Sequence, residues 1–357
     1  MRLFGGVANY YNAVKKHFTV DPEFFELGAL KDKENVFEKP KHLFGDWLRF
    51  RNLIKNNPFN FGLIHINPSF AYASLIREAI LLQIAKRFGQ KVLVTFHGWN
   101  VDYVKIVEKY FFRLFFSAFN MADAFIVLAS DIKKQMRNWG FTQPIFLETT
   151  PVDDDLIYEF SIEDRISTIR SKKMKQILFL SRIEKEKGIR ETIEAYSRLL
   201  SAYSSLHLVI AGEGSFLSEA YKLSKKMRLD KRILFLGYVK GQSKRNVFLN
   251  SDIYVLPSYG EGMPTSVLEA MAFGLPVVTR PVGGLKDFFV DGKHGFMTES
   301  KDPSVIASLI KKIVFDDKLC QEMSITVHKT AMERFLASKV AKRLENIYES
   351  MLCKAVV

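Results

Sequence analysis

Two doubly wound α/β domains are what this sequence predicts, and three observations predict them. The chain has 357 residues, 48% of them apolar and 25% charged, which is too long for one average domain and apolar enough for two cores. Short strand-like runs at 61–67, 91–96, 124–128 and 144–155 alternate with helical segments, and a second such series begins at 176. That order is the signature of parallel βαβ units. Glycines also follow strand-like runs repeatedly, as at Gly98, Gly212, Gly237 and Gly283–Gly284, which is where open parallel sheets bind ligands. The second series places a domain boundary at 171/172, with 335–357 as a terminal helix.

Charge and cysteine content narrow the class only a little. The net charge of +13 divides into +3 over residues 1–171 and +10 over 172–357. The basic residues are dispersed and no helix-turn-helix, zinc finger or RNA-binding signature accompanies them, so nucleic acid is not the expected partner. Anionic substrates or an anionic membrane surface account for the excess equally well. Cys320 and Cys353 are far apart and lack metal-like spacing, as in a reducing compartment. The start of the chain has no signal-peptide pattern, and the most apolar stretch, 110–129, is broken by Arg113, Asn120 and Asp123. A cytoplasmic protein, peripheral at the inner face of the cell membrane, is the expectation.

The stretch 251–295, SDIYVLPSYGEGMPTSVLEAMAFGLPVVTRPVGGLKDFFVDGKHG, carries the most chemistry. It reads as a buried strand, a turn, a helix, a second strand at 276–279 and a glycine turn. Pro264 suits the first helical position, where its missing N–H costs nothing, and Gly274 marks the stop. Glu261 lies in the turn and Glu269 on the helix, so at ~1.5 Å per residue they stand roughly 10 Å apart. That is too far for two carboxylates sharing a proton and suits two contacts on one long ligand. Between them, the helix start offers N–H groups and the positive end of its dipole to a phosphate.

With E-G-M-P-T-S-V-L-E at its centre, this stretch resembles the E-x7-E element of the retaining glycosyltransferases of GT-B architecture, family four. The resemblance implies two Rossmann-like domains facing each other across a cleft, with the terminal helix crossing back onto the first domain. It also implies that Glu261 contacts the donor sugar, that Glu269 contacts the nucleotide ribose, and that Gly262, Met263, Pro264, Thr265 and Ser266 face the diphosphate. Further motifs follow in the family's order. Arg182 and Lys187 match its diphosphate-binding cations, and pre-placed cations suit a leaving group that gathers negative charge. Gly237, Tyr238 and Val239 match the segment that holds the base through its backbone. Gly283 and Gly284 match its phosphate- and sugar-facing turn, with Asp287 near the position of a family Glu. In the first domain, Gly5 and Gly6 match a loop near the donor phosphate, and His97 matches an H-G element near the donor sugar and acceptor.

The departures matter as well. Only four residues precede Gly5, so the expectation is a first sheet lacking its first strand, or a truncated reading frame. Asp153–Asp154–Asp155 mimics a D-x-D metal site, but it follows a linker strand and the enzymes resembled here need no such metal, so neither metal nor cofactor is expected. Gly212–Glu213–Gly214 is too short and too late in the chain for a dinucleotide fingerprint. His65 reads as a packed strand residue. A helix at 46–55 has Trp47, Phe50 and Ile54 on one face and Arg49, Arg51 and Lys55 beside it, which suits a core-facing helix or a surface for anionic lipid. Residues 104–119 read as one helix with a phenylalanine core.

The resemblance thus implies transfer of a sugar, with retention, from a nucleoside-diphosphate donor (UDP or GDP unresolved) to a glycan or lipid-linked glycan, as in cell-surface polysaccharide or lipopolysaccharide assembly. The alternatives are a sugar-nucleotide epimerase or hydrolase of the same fold, and a truncated nucleotide-binding protein without turnover.

Overall fold

Every strand in the computed structural model, which describes residues 6–27, 39–57, 61–200, 203–229 and 231–353, is parallel to its neighbours. Parallel pairing forces a crossover between consecutive strands, so helices cover both faces and the strands read as continuous apolar runs. By contacts, the chain divides into one unit of 1–149 with 341–357 and a second of 150–340.

The first unit contains α1 (Gly6–Val14), α2 (Lys39–Asn56), β1 (Ile64–Ile66), α3 (Tyr72–Arg87), β2 (Val92–Phe96), α4 (Val101–Ile106), a π turn (Val107–Phe111), α5 (Phe112–Phe119), β3 (Ala124–Val127), α6 (Ser130–Asn138) and β4 (Ile145–Leu147). Its described strands form one sheet in the order β1-β2-β3-β4. Phe96, Phe115, Phe119, Phe125 and Phe141 are buried among them. The expected single helix at 104–119 is therefore interrupted by the π turn. In α2, Phe50 and Ile54 are buried while Arg49, Arg51 and Lys55 are exposed, so its apolar face packs on the core. Gly5 and the strand expected to be wanting before it lie outside the described residues, and Gly6 begins α1 instead of a loop.

The second unit begins with α7 (Ile162–Ser171) and β5 (Lys175–Leu180), then α8 (Ile189–Leu200), β6 (Leu206–Ala211), α9 (Leu217–Lys226), β7 (Ile233–Gly237), α10 (Gly241–Asn250), β8 (Ile253–Leu256) and α11 (Thr265–Ala272). It closes with β9 (Val277–Thr279), β10 (Gly295–Met297), α12 (Pro303–Val314), α13 (Asp317–Arg334) and α14 (Ala337–Cys353). The strand order is β10-β9-β8-β5-β6-β7. Strand β10 has no counterpart in the sequence reading.

Residues 150–171 belong to the second unit, which moves the expected 171/172 boundary to 149/150. Backbone bonds from Val152 N–H to Phe335 O (2.7 Å) and from Ala337 N–H to Val152 O (2.8 Å) join this segment to the start of α14. Arg165 of α7 is buried and donates to Gly274 O and Ser251 O. Beyond residue 340, α14 groups with the first unit. Arg343 donates from Nε and Nη2 to the two oxygens of buried Glu148 at 2.9 Å each, and Lys91 Nζ donates to Met351 O at 2.7 Å.

Removing Arg343, itself partly exposed, leaves the buried Glu148 carboxylate without its partner. Arg343→Met is expected to lower stability by about 1–3 kcal/mol, read as a shift in the urea midpoint, whereas Arg343→Lys retains part of it. An unchanged midpoint would show that the pair is dispensable.

Candidate functional site

Strand order locates the site in the second unit. From central β5 the chain builds β6 and β7 on one side, then returns to place β8, β9 and β10 on the other. The loops leaving β5 and β8 therefore diverge at their carboxyl ends, and such a switch point forms a crevice between neighbouring strands. Lys187 comes from the loop after β5 and Glu261 from the loop after β8. Lys187 Nζ donates to Glu261 Oε1 at 2.7 Å, and both side chains are largely buried. The sequence-predicted cation and carboxylate are thus brought into direct contact. Arg182, from the same loop as Lys187, is exposed.

Backbone packing holds these loops in place. Gly212 N–H donates to Gly237 O at 2.7 Å, and a Cβ on Gly212 would stand 1.9 Å from Ser181 O. The glycine turn after β6 therefore serves to pack three loops together. Gly284 N–H donates to Gly262 O at 2.8 Å. Gly283 has φ +51°, and a Cβ there would lie 2.1 Å from Gly262 O and 2.4 Å from Glu261 O. The Gly283–Gly284 turn thus seats directly on the backbone that carries Glu261.

Helix α11 starts at Thr265. Pro264 stands just before it as the cap residue, in extended conformation, one position earlier than the sequence placed it. Its first turn leaves N–H groups at the mouth of the switch point, beside Gly262 and Met263. Ser266 Oγ is bonded to Tyr254 OH at 2.7 Å, and Tyr254 OH also donates to Leu180 O. Glu269 is buried and accepts from Lys244 Nζ at 2.6 Å. Lys244 was missed by sequence reasoning because on α10 it looks like any solvated helix lysine. Gly237 ends the edge strand β7, two strands from β5, with Tyr238 and Val239 just after it, and the Tyr238 ring is exposed. Asp287 closes a 3-10 turn at Gly283–Asp287. Asp153 and Asp154 accept backbone N–H groups of Asp155 and Ser338, so both act as caps.

In the first unit, His97 stands at the carboxyl end of β2, half-buried against the edge of the Tyr10 ring. Its Nε2 lies 3.0 Å from Asn67 Oδ1, which also accepts from Tyr11 OH at 2.8 Å. The Asn67 amide nitrogen donates to His65 O at 3.3 Å, so the side-chain oxygen faces His97. An amide oxygen only accepts, hence His97 carries its hydrogen on Nε2 and presents Nδ1 as a bare acceptor. Burial holds its pKa down to about 4, keeping the ring neutral. His65 is a packed strand residue, bonded to Thr95 Oγ1 (2.6 Å) and Tyr348 OH (2.8 Å), and burial with the neighbouring His97 lowers it to about 3. Asn67 also escaped sequence reasoning, although a polar residue closing a buried strand beside the His97 strand was a usable signal.

Both rings bind a proton less readily when folded, so their linkage favours the fold above the unfolded pKa of about 6.5 and weakens it as pH falls toward 4. Stability is expected to decline over that window. Ring nitrogen-15 spectra at pH 6 are expected to show neutral His97 with its hydrogen on Nε2. An imidazolium, or a hydrogen on Nδ1, would contradict the geometry.

Residues 161–330 match the family model for glycosyl transferases group 1, and residues 27–156 match that for glycosyltransferase family 4. An uncharacterized glycosyltransferase, MJ1607, of Methanocaldococcus jannaschii is 30% identical over 197 residues, 55% of this chain and 50% of that protein. The putative teichuronic acid biosynthesis glycosyltransferase TuaC of Bacillus subtilis is 26% identical over 81% of this chain and 70% of its own length. The chain thus spans half of the first relative and somewhat over two thirds of the second. Among solved structures, Anabaena Alr3699/HepE in complex with UDP and glucose superposes with a TM-score of 0.70 at 17% identity, covering 89% of this chain and 84% of that one. The two family models, in the expected order along two parallel-sheet units of GT-B type, show that this chain belongs to the family-four GT-B glycosyltransferases.

Proposed function

We propose that this glycosyltransferase moves a sugar from a nucleoside-diphosphate donor to a hydroxyl of a glycan or lipid-linked glycan, with retention and without a metal. The observation that carries the reading is the Lys187–Glu261 pair at the switch point, beside the start of α11. Arg182, Lys187 and the N–H groups at Thr265 and Ser266 meet the diphosphate and stabilise charge as it departs. Before donor arrives, Lys187 is neutralised by Glu261, so the cation is held in place without an unpaired buried charge. Glu261 then shares Lys187 with the phosphate and accepts from sugar hydroxyls, while Glu269, positioned by Lys244, accepts from the ribose.

Retention without a covalent intermediate fits the carboxylates. A glycosidase that forms one needs two carboxyl groups about 5 Å apart around the bond. Here Glu261 and Glu269 are each bound to a separate lysine and serve as anchors. Attack on the same face, with the departing diphosphate accepting the incoming hydroxyl's proton, needs no enzyme nucleophile. His97, neutral with a bare Nδ1, is suited to accept a hydroxyl hydrogen and poorly suited to donate a proton. Assembly of a surface polysaccharide or lipopolysaccharide at the inner face of the cell membrane is the role proposed, supported by the naming of TuaC for teichuronic acid biosynthesis.

UDP is the first ligand to test, since HepE was solved with it. Calorimetry is expected to show binding of UDP or GDP by the wild-type chain, weakened ~10-fold or more by Lys187→Ala and by Glu269→Ala, as losing a charge-assisted contact predicts. A folded chain that binds neither nucleotide would sink the donor-site assignment. Gly283→Ala provides a second check. Its Cβ meets the backbone of Glu261 and Gly262 at a positive φ, so sugar-nucleotide affinity and melting temperature are both expected to fall, with the fold retained. Wild-type affinity in that variant would detach the glycine turn from the site.

A further inference from the structure

The segment from α4 through the π turn to α5 carries two apolar stripes. Val104, Val107, Phe115 and Phe119 face the core of the first unit and are buried. Tyr103, Ile106, Tyr110 and Leu114 recur at helical spacing and are 41%, 44%, 64% and 71% exposed. One apolar stripe is enough to dock a helix on its domain, so the second has no role in the fold. The Phe111 ring, itself exposed, meets Tyr72 of α3 at 6.0 Å and Tyr110 at 6.4 Å. Ile76, one turn beyond Tyr72, is exposed too. The patch therefore extends across two neighbouring helices, and scattered surface leucines do not do this.

Its charge is one-sided. Lys105, Lys109 and Arg113 are exposed and follow one another at four-residue spacing along the same segment. Lys109 Nζ sits 4.9 Å from the centre of the Tyr110 ring. Of the two acidic residues here, Asp102 is 3.5 Å from Lys105. Glu108 is drawn toward α6, where it accepts from Gln135 and Trp139 at 3.0 and 2.9 Å. Across 77–137 the net charge is +5.

We propose that this surface docks on the headgroup region of an anionic bilayer. Tyrosines with an apolar body and a polar tip, aliphatic side chains and a flanking row of cations suit an interface where lipid tails meet anionic headgroups. Self-association would instead bring two rows of like charge together. No described helix is long and apolar enough to cross a membrane, so the contact lies in the interface plane. The proposal rests for its purpose on the lipid-linked-acceptor reading, since docking would hold the first unit against the surface where such acceptors reside.

The test is co-flotation of the purified full chain with vesicles of phosphatidylcholine alone or mixed with phosphatidylglycerol, with neither donor nor acceptor present. Wild type is expected to bind the anionic vesicles and to release from them in high salt. Each basic residue near an anionic surface contributes about fivefold in affinity. Lys105→Gln/Lys109→Gln/Arg113→Gln together are therefore expected to lower binding to anionic vesicles ~100-fold. Tyr110→Ser/Leu114→Ser replaces two exposed side chains and is expected to lower it at least ~10-fold with an unchanged thermal melt. Absence of wild-type binding, or equal binding by the variants, would overturn the proposal. A salt-insensitive dimer that the serine variant dissolves would give the patch to a second copy and overturn it as well. Nucleotide calorimetry on the wild-type chain separates the two readings: UDP or GDP binding without flotation fails only the surface proposal.

Discussion

Parallel pairing is the constraint on which the rest of this structure depends. A parallel strand cannot be followed by a hairpin, so the chain crosses back between strands. It does so through α-helices everywhere but between β9 and β10, where the Gly283–Asp287 turn serves. Every loop that begins a crossover emerges at the same edge of its sheet. In the second unit this gathers the loops after β5, β6, β7, β8 and β9. The change of direction between β5 and β8 then opens the place where Lys187 and Glu261 meet. Side chains separated by 74 residues in sequence become partners because their strands are neighbours. Backbone contacts that leave no room for a Cβ, at Gly212 and Gly283, set the loops against one another. Main chain packs on main chain at this edge.

Electrostatics at this edge follow from burial. Lys187, Glu261 and Glu269 are too enclosed to remain unpaired, and each has an oppositely charged partner within 2.7 Å. Such pairs gain little net stability, because desolvation offsets attraction. They do hold charge at the proposed donor site already ordered and already stripped of part of its water. Little reorganisation is then left for the moment of reaction.

The first unit treats its ionisable groups differently. His65 and His97 lie among tyrosines, and burial keeps both neutral. The Asn67 amide decides which nitrogen of His97 holds the hydrogen, and Tyr11 orients the same amide oxygen. Next to this ordered cluster, α4 and α5 turn a second apolar stripe toward solvent. The same unit thus combines a fixed polar centre with a surface whose composition suits lipid.

Much of the plan was legible in the residues. The two βαβ series came from alternating apolar runs, and the element of the second unit came from Glu261, Glu269, Arg182, Lys187 and the glycine turns in their order. The H-G pair at the end of a buried strand singled out His97. Tertiary structure decided the rest. That Lys187 is held by Glu261, and Glu269 by Lys244, depends on strand order and helix placement, which no spacing reveals. Lys244 and Asn67 carry no local signal strong enough to separate them from an ordinary helix lysine and a strand-end amide. The boundary at 149/150 depends on Val152 and Arg165 finding partners more than 80 residues away. Local sequence thus determined which elements form and which residue types stand at their ends, since propensity, periodicity and turn chemistry are local. Only the tertiary structure decided which of those residues meet, because pairing across a parallel sheet joins positions that the chain itself keeps far apart.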